Sequence, residues 1–526
     1  MILPLLSALS FFAGVLLATF SDCAVPQWAW ILVALLFFKK KGVAIILLAF
    51  FFGILRVGIY EDSLASSFKV GWAELEGVIV EEVDVRSDHQ KITVETEAGL
   101  VLVKAGAYEN LSYGDHVKIA GELEQPEAGD SYANYLFRYG ILFSMDRANV
   151  EVISVAGFSL RGALYDFKSI VQRQINRLYF EPEASLVSGL LLGSRKGMSE
   201  ELTAAFQSVG LTHIVAVSGY NISLVISCIF ALFSFLPMKR RVILSVIMVA
   251  LFVLFVGASA AAVRAGIMGS LGMWALYTGR RSQAFFVLLW SAVAMTLWNP
   301  AILAFDIGFQ LSFASTLGLL VFSPMFEKVL PLKKGFLAES LFLTLSAQIA
   351  TFPFIVFYFG RLSLISPLAN LVVAPLLPFS MLFSGLSLVG GMPLAIVASI
   401  YLKGIILSTR LLAKVPYADV PLTLSLQGFL FILFLLSFLV LLFYKSRLVR
   451  AFVREGEGFF SKVPPPQSEM RETQGAHPVG VAAKGTSSCV SWNEGANSKK
   501  LRRRRGDLFS KNYRILIWLC CATKRG

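Results

Sequence analysis

The sequence predicts a polytopic α-helical membrane protein of about ten to twelve spans, with a small extracytoplasmic β-barrel domain of OB-like type inserted between the first spans and the rest. Three observations lead there. The 526 residues are 56% apolar and only 15% charged, whereas soluble domains average roughly 25% charged. Apolar runs close to bilayer-spanning length recur along the chain. Between the early and the later runs lies an acidic, alternating stretch with no apolar run in it.

Residues 1–60 hold the first spans. Ile2 to Phe20 and Val43 to Tyr60 approach the length of about 20 residues that a helix needs to cross hydrocarbon, and Trp28 to Phe38 is a shorter case between them. The opening run lacks the basic n-region and the small-residue cleavage site of a signal peptide. Residues 61–157 read as strands. Glu76-Gly77-Val78-Ile79-Val80-Glu81-Glu82-Val83, Lys91-Ile92-Thr93-Val94-Glu95-Thr96 and His116-Val117-Lys118-Ile119-Ala120-Gly121-Glu122-Leu123 alternate as half-buried strands do, and Gly99, Gly106 and Gly114 break them. Several short strands in so little chain suit an OB-like barrel, although an SH3-like or sandwich domain carries the same signature.

Residues 158–210 form an amphipathic, interfacial segment. Phe167, Ile170, Val171, Gln174, Ile175 and Leu178 make one apolar pattern, with Arg161, Lys168, Arg173 and Arg177 on other faces. Residues 211–450 return to spans: Ile214 to Leu236, Val242 to Val256, Ala261 to Tyr277, Phe285 to Trp298, Ile307 to Phe322, Phe336 to Phe359, Pro367 to Leu388, Leu394 to Leu412 and Phe429 to Phe443. Residues 451–526, with Pro464-Pro465-Pro466 and Leu501-Arg502-Arg503-Arg504-Arg505, cannot build a core and read as a disordered basic tail. Their abrupt change of composition fits out-of-frame translation as well.

Basic residues set the orientation. Lys39-Lys40-Lys41, Lys239-Arg240-Arg241, Arg280-Arg281, Lys333-Lys334 and Lys445 with Arg447 and Arg450 lie in short connections, which the positive-inside rule assigns to the cytoplasm. That places residues 61–157 outside the cytoplasmic membrane. The net charge of +13 is thereby largely explained by topology and is not by itself a nucleic-acid signal. Tyr132, Tyr135, Phe137, Arg138 and Tyr139 are the part of the outer segment with an aromatic and basic face, suited either to a nucleic acid or to the membrane interface. None of the five cysteines lies in the outer segment, so its stability requires no disulfide. His89, His116, His213 and His477 show no metal-ligand spacing, so no metal and no cofactor is expected.

Polar groups inside an apolar segment need a partner or a task, because an unsatisfied one in lipid costs several kcal/mol. The run from Gly210 to Asn221 places His213, Ser218 and Asn221 in that position, with Gly210 and Gly219 permitting a broken or closely packed helix.

Four stretches in order carry a family likeness. They are Leu191-Leu192-Gly193-Ser194-Arg195-Lys196-Gly197-Met198 with Ala205 to Gly219; Gly257-Ala258-Ser259-Ala260-Ala261-Ala262-Val263-Arg264-Ala265; Phe305-Asp306-Ile307-Gly308-Phe309-Gln310-Leu311-Ser312-Phe313; and Gln348-Ile349-Ala350-Thr351-Phe352-Pro353 continuing to Ser366-Pro367-Leu368-Ala369-Asn370-Leu371. The sequence resembles the ComEC-type competence protein family from the first spans to about Arg450. The resemblance implies an inner-membrane channel that passes transforming DNA into the cytoplasm as a single strand. Its implied partners are single-stranded DNA, membrane lipid, an external DNA receptor, a cytoplasmic DNA-translocating motor and a separate nuclease; homo-oligomerisation stays open. Many members carry a carboxy-terminal metallo-β-lactamase-like domain, and the sequence from Arg450 onward does not resemble one. Where members often read Ser-Gly-x-His, this chain has Ser218-Gly219-Tyr220-Asn221, and an amide cannot carry the proton or charge of an imidazole.

The candidate residues of a DNA path are His213, Ser218, Gly219, Asn221, Arg264, Asp306, Gln310, Ser312, Gln348 and Asn370. Arg264 is suited to contact a phosphate or to pair with Asp306. Asp306 and Gln310 share a helix face at four-residue spacing. Ser312, Gln348 and Asn370 equally suit plain interhelical hydrogen bonds. No catalytic residue is expected. A secondary transporter of a small solute is the alternative, without a visible internal repeat. An intramembrane hydrolase using Ser218 and His213 is disfavoured because the G-x-S-x-G spacing is missing. A Walker A sequence is also missing, so the driving force is expected from another protein.

Overall fold

The computed structural model describes residues 2–445 apart from 22–32, 34–35, 37–39, 65–69, 87, 98, 108, 127–130, 195–196, 216–217, 280–283 and 330–334. Most of the expected short span Trp28 to Phe38 and all of the expected tail lie outside the described residues. The chain divides into two units after Leu436, and the described part of the second is the end of one helix.

Two apolar helices come first, α1 (Ile2–Phe20) and α2 (Lys41–Leu64). The strands follow where the alternation falls: β1 (Gly71–Ile79), β2 (Asp84–Val85), β3 (His89–Thr96), β4 (Gly99–Gly106) and β5 (His116–Glu124), then helix α3 (Ser131–Arg138) and β6 (Ile141–Ser154). They form one mixed sheet in the order β2-β3-β4-β6-β5-β1, and β1 also pairs with β3. The β4–β6 pairing is parallel and the others are antiparallel. Alternate residues point inward, as the two-residue period of a strand requires, so Ile92 and Val94, Val101 and Val103, and Val117 and Ile119 meet in one buried cluster with Phe143 and Met145.

The remaining helices are α4 (Leu160–Leu178), α5 (Glu183–Leu192), α6 (Glu200–Ser208), the single turn α7 (Thr212–Val215), α8 (Gly219–Leu232), α9 (Met238–Phe255), α10 (Ala260–Tyr277), α11 (Ala284–Trp298), α12 (Ala301–Phe305), α13 (Ile307–Val329) and α14 (Phe336–Phe359). After strand β7 (Arg361–Ser363) come α15 (Ser366–Val373), α16 (Leu376–Gly390) and α17 (Met392–Ala413), then β8 (Asp419–Pro421), which pairs with β7, and α18 (Leu426–Lys445). One large core joins Ile175 of α4 to Leu186 and Leu190 of α5, Phe206 of α6, Val373 of α15 and Leu402 of α17. The amphipathic segment thus turns an apolar side to the helical core. Its Lys168 is not part of a free basic face, for its Nζ lies 2.7 Å from Glu82 Oε2 of the β-domain.

Among the described residues six helical stretches are long and apolar enough to span a bilayer: Leu3–Phe20, Lys41–Leu64, Thr212–Phe235, Ile307–Glu327, Ala338–Phe359 and Met392–Ala413. The pair α15 and α16, bent by 46°, makes a seventh if it is one broken span. Among the described residues, six or seven such helices make a multi-pass membrane protein, against the ten to twelve spans expected from apolar runs. Of the other expected spans, Trp28 to Phe38 lies mostly outside the described residues and α18 is described with its side chains only to Leu442, while α9 opens on Lys239, Arg240 and Arg241, α10 carries Arg264 within it, and α11 is only 15 residues long.

Candidate functional site

The break in the polar run is visible in the backbone. Gly210 has φ +70°, a left-handed value that ends the α6 segment, and α7 is a single turn after it. Ser218 then caps α8: its Oγ accepts from Asn221 N at 3.2 Å and donates to Asn221 Oδ1 at 3.0 Å. The Asn221 side chain is 1% exposed, and its Nδ2 has no hydrogen-bond partner. His213 is exposed and uses Nδ1 on Gly210 O at 3.2 Å. Ser218 is thus engaged as a helix cap and not paired with His213, which removes the geometric basis of a Ser–His hydrolase.

Arg264 of α10 is 8% exposed and lies against this first turn. Its Nε donates to Ser312 Oγ of α13 at 2.8 Å, Nη1 lies 3.6 Å from Met268 Sδ, and the guanidinium carbon is 5.8 Å from the Phe313 ring centre. Its Nη2 comes so close to Gly219 that a Cβ there would stand 2.6 Å away, so a larger residue at this point would displace the end of the guanidinium. Ser218, Gly219, Asn221, Arg264 and Ser312 are therefore one cluster.

The expected alternative of an Arg264–Asp306 pair is not what forms. Asp306 precedes α13, its Oδ1 accepts from Phe309 N at 2.9 Å, and its Oδ2 lies 2.9 Å from Arg138 Nη1. Capping turns the carboxylate toward Arg138 of the β-domain, while Arg264 meets α13 further along, at Ser312. The helical spacing expected to put Gln310 on the Asp306 face does not apply, because Asp306 has extended backbone between the two helices; Gln310 Nε2 donates to Leu303 O and Ala304 O at 3.0 and 2.8 Å, and its Oε1 accepts from Tyr358 at 2.8 Å. Both residues brace the elbow between α12 and α13. Gln348 and Asn370 form a separate cluster on Ser366: Gln348 Nε2 donates to its Oγ at 2.7 Å, and Asn370 Nδ2 to its backbone O at 3.0 Å. Ser366 also packs against Gly210, where a Cβ would stand 2.8 Å from its hydroxyl.

Sequence reasoning placed Arg138 only in an aromatic face, and the structure divides that face in two. Phe137 makes edge contacts with Tyr60 and Phe305 at 5.6 and 5.8 Å, and the backbone carbonyls of Phe137 and Arg138 accept from Tyr60 at 2.9 Å and Asn299 at 2.8 Å. Arg138 lies mostly buried between Asp306 and two rings, 4.3 Å from the centre of Tyr139 and 5.1 Å from that of Tyr135. Tyr132, Tyr135 and Tyr139 remain exposed, with Tyr132 and Tyr135 nearly parallel at 12° and 6.4 Å apart. Beside them on the sheet, Lys91 stands opposite Lys104. Burial, and next the nearby Arg86 and Lys104, push the Lys91 ammonium below its usual range. No group of three or more His, Cys, Asp or Glu suited to a metal occurs among the described residues.

Residues 190–448 match the family model described as Competence protein. The chain is also similar to ComE operon protein 3 of Bacillus subtilis, 26% identical over 407 residues, an alignment that covers 73% of this chain and 50% of that protein. The chain spans about half the length of this curated relative. No solved structure matches.

Proposed function

Through residues 190–448 this chain belongs to the Competence protein family, and on that premise we propose that it takes part in the uptake of transforming DNA, passing a single strand across the cytoplasmic membrane. In this reading the outer domain is an OB-like barrel outside the cytoplasm. The pairing of β1 with both β5 and β3, and the parallel β4–β6 contact, support a closed five-stranded ring of that kind. Positive charge on the short loops supports the orientation.

The observation that carries the proposal is the seat of α3. Exposed tyrosines on one side offer stacking surfaces to unpaired bases, and beside Tyr132 stands Lys104, paired at 2.7 Å with Asp146, as a cation for the backbone to compete for. The other side is fixed by Phe137 and Arg138 to the α12–α13 elbow inside the family-matching segment. A strand held on the tyrosines is thereby delivered beside the membrane helices. The chain acts in this role without catalysis of its own. An external receptor, a cytoplasmic motor and a nuclease supplied by another domain or protein complete the route.

The test is uptake of end-labelled duplex DNA in competent cells lacking their own channel and complemented with this chain, scoring protected internal strand separately from surface-bound DNA. Internal single strand is expected. With two stacking contacts removed, Tyr135→Ala with Tyr139→Ala is expected to lower it about tenfold at equal membrane levels. A well-inserted wild-type chain that admits no strand beside a working receptor, motor and nuclease overturns the proposal.

A further inference from the structure

We propose that the first turn of α8, Asn221 and Arg264 together form an oxyanion site within the membrane domain, and that its ligand is a phosphodiester group. The proposal rests on the DNA-uptake reading for the choice of ligand, and on geometry alone for the existence of the site.

Two positive features meet there. The amino end of α8, a helix of 14 residues, concentrates unpaired backbone N–H groups and the positive end of the helix dipole. Ser218 satisfies one of those groups, Asn221 N. Against the same turn lies the guanidinium of Arg264, brought in over Gly219. Both attract anions, and among the described residues no carboxylate pairs with Arg264. A charged group nine-tenths buried in a membrane protein without a counter-charge is costly. An anion at this place removes the cost for the helix end and the guanidinium at once.

Asn221 gives an independent sign. With its Oδ1 accepting from Ser218, its Nδ2 is left as a buried donor without an acceptor, on the same first turn. Buried donors are rarely left so. Arg264 is also held by one edge: Ser312 takes Nε and Met268 faces Nη1, while Nη2 points at the glycine. The site thus supplies donors of three kinds, backbone amide, side-chain amide and guanidinium. A tetrahedral oxyanion carrying one charge accepts from several directions at once, which a phosphodiester does. A neutral amide at position 221 serves this task where an ionisable group is not needed.

The experiment uses the full chain in nanodiscs made either of phospholipid or of a phosphate-free glycolipid, with oligo(dT) and dimethyl phosphate as probes. In glycolipid discs both probes are expected to raise the melting temperature of the wild type. Arg264→Gln is expected to weaken oligo(dT) binding about tenfold and to lower the slope of log affinity against log salt by about one. Asn221→Asp places a carboxylate in the site. It is expected to raise the melting temperature without any probe and to abolish the response to dimethyl phosphate, an effect that loss of a packing residue does not produce. Stabilisation by phospholipid discs in place of the oligonucleotide, still dependent on Arg264, assigns the same site to a lipid headgroup and overturns its assignment to the strand. An Asn221→Asp chain that is less stable and still answers dimethyl phosphate, or an Arg264→Gln chain that folds and binds as the wild type does, overturns the site. None of these readouts needs uptake, so a chain that binds through Arg264 yet admits no DNA in cells defeats the functional reading and leaves the site standing.

Discussion

Arg138→Ala is expected to destabilise the protein by about 3–5 kcal/mol and to loosen the β-domain from the α12–α13 elbow. Asp306 and Arg138 are both largely withdrawn from solvent and 2.9 Å apart. Removing the arginine leaves a buried carboxylate whose other oxygen must still cap Phe309, and it removes the cation between the rings of Tyr135 and Tyr139. The loss is therefore larger than the net value of the pair. Removing both charges, as in Arg138→Met with Asp306→Asn, is expected to recover most of the loss, since the amide keeps an acceptor for the cap and no unpaired charge remains. Urea unfolding of the chain in detergent, run as a double-mutant cycle, measures the coupling. Hydrogen exchange locates it, with amides of α3 and of the first turn of α13 exchanging faster in the single variant. Equal stability of Arg138→Ala and the wild type contradicts the account.

This ion pair also marks where the sequence stops being legible. Strand alternation has a period of two and is local, so Lys91 to Thr96 and His116 to Leu123 could be placed on strands directly, and both are there. Intramembrane polarity is equally local, so the ten path candidates from His213 to Asn370 stand out in the sequence, but only the structure separates Ser218, Gly219, Asn221, Arg264 and Ser312 from the rest as one cluster. The partner of Asp306 is not local. It belongs to a helix of another domain, and nothing in the Phe305 to Phe313 stretch distinguishes a carboxylate that reaches outward from one that reaches Arg264. Gln310 shows a second limit. Its four-residue spacing from Asp306 suggests one helical face, yet periodicity does not reveal that the backbone is extended at Asp306 or that Gln310 meets the open carbonyls of Leu303 and Ala304. Tyr358, which holds Gln310, has no signal beyond lying in an apolar run, and Ser366, which holds Gln348, stands out only as the first residue of a family-like stretch. Apolar runs alone do not settle the count of spans either: an apolar run specifies burial in something apolar, and not that its backbone stays straight for the thickness of a bilayer.

Gly77→Val is expected to cost the outer domain about 3 kcal/mol or more. At this residue β1 has a neighbour on each side, Val117 of β5 and Thr96 of β3. A Cβ on Gly77 would stand 2.4 Å from the backbone oxygen of Glu95 and 2.6 Å from Val94 Cγ1. The oxygen belongs to the strand that β1 pairs with, so it cannot withdraw without parting the β1–β3 ladder, and Val94 is fully buried in the core beneath. A valine there forces a choice between the two ladders of β1. The longer β1–β5 ladder, which runs from Gly71 to Val78, is expected to persist, and the β1–β3 ladder to open. Limited proteolysis then cuts the outer segment near Glu95 while the membrane helices stay intact. Gly58→Ala in α2, where the added Cβ meets nothing within 4 Å, is the matched substitution expected to resist cleavage like the wild type. If Gly77→Val is also as resistant as the wild type, the β1–β3 contact carries no weight in the domain, and its reading as a closed OB-like ring fails with it. If the cut appears, Gly77 is the point at which an otherwise open sheet becomes a barrel, a role that its place in an alternating strand conceals.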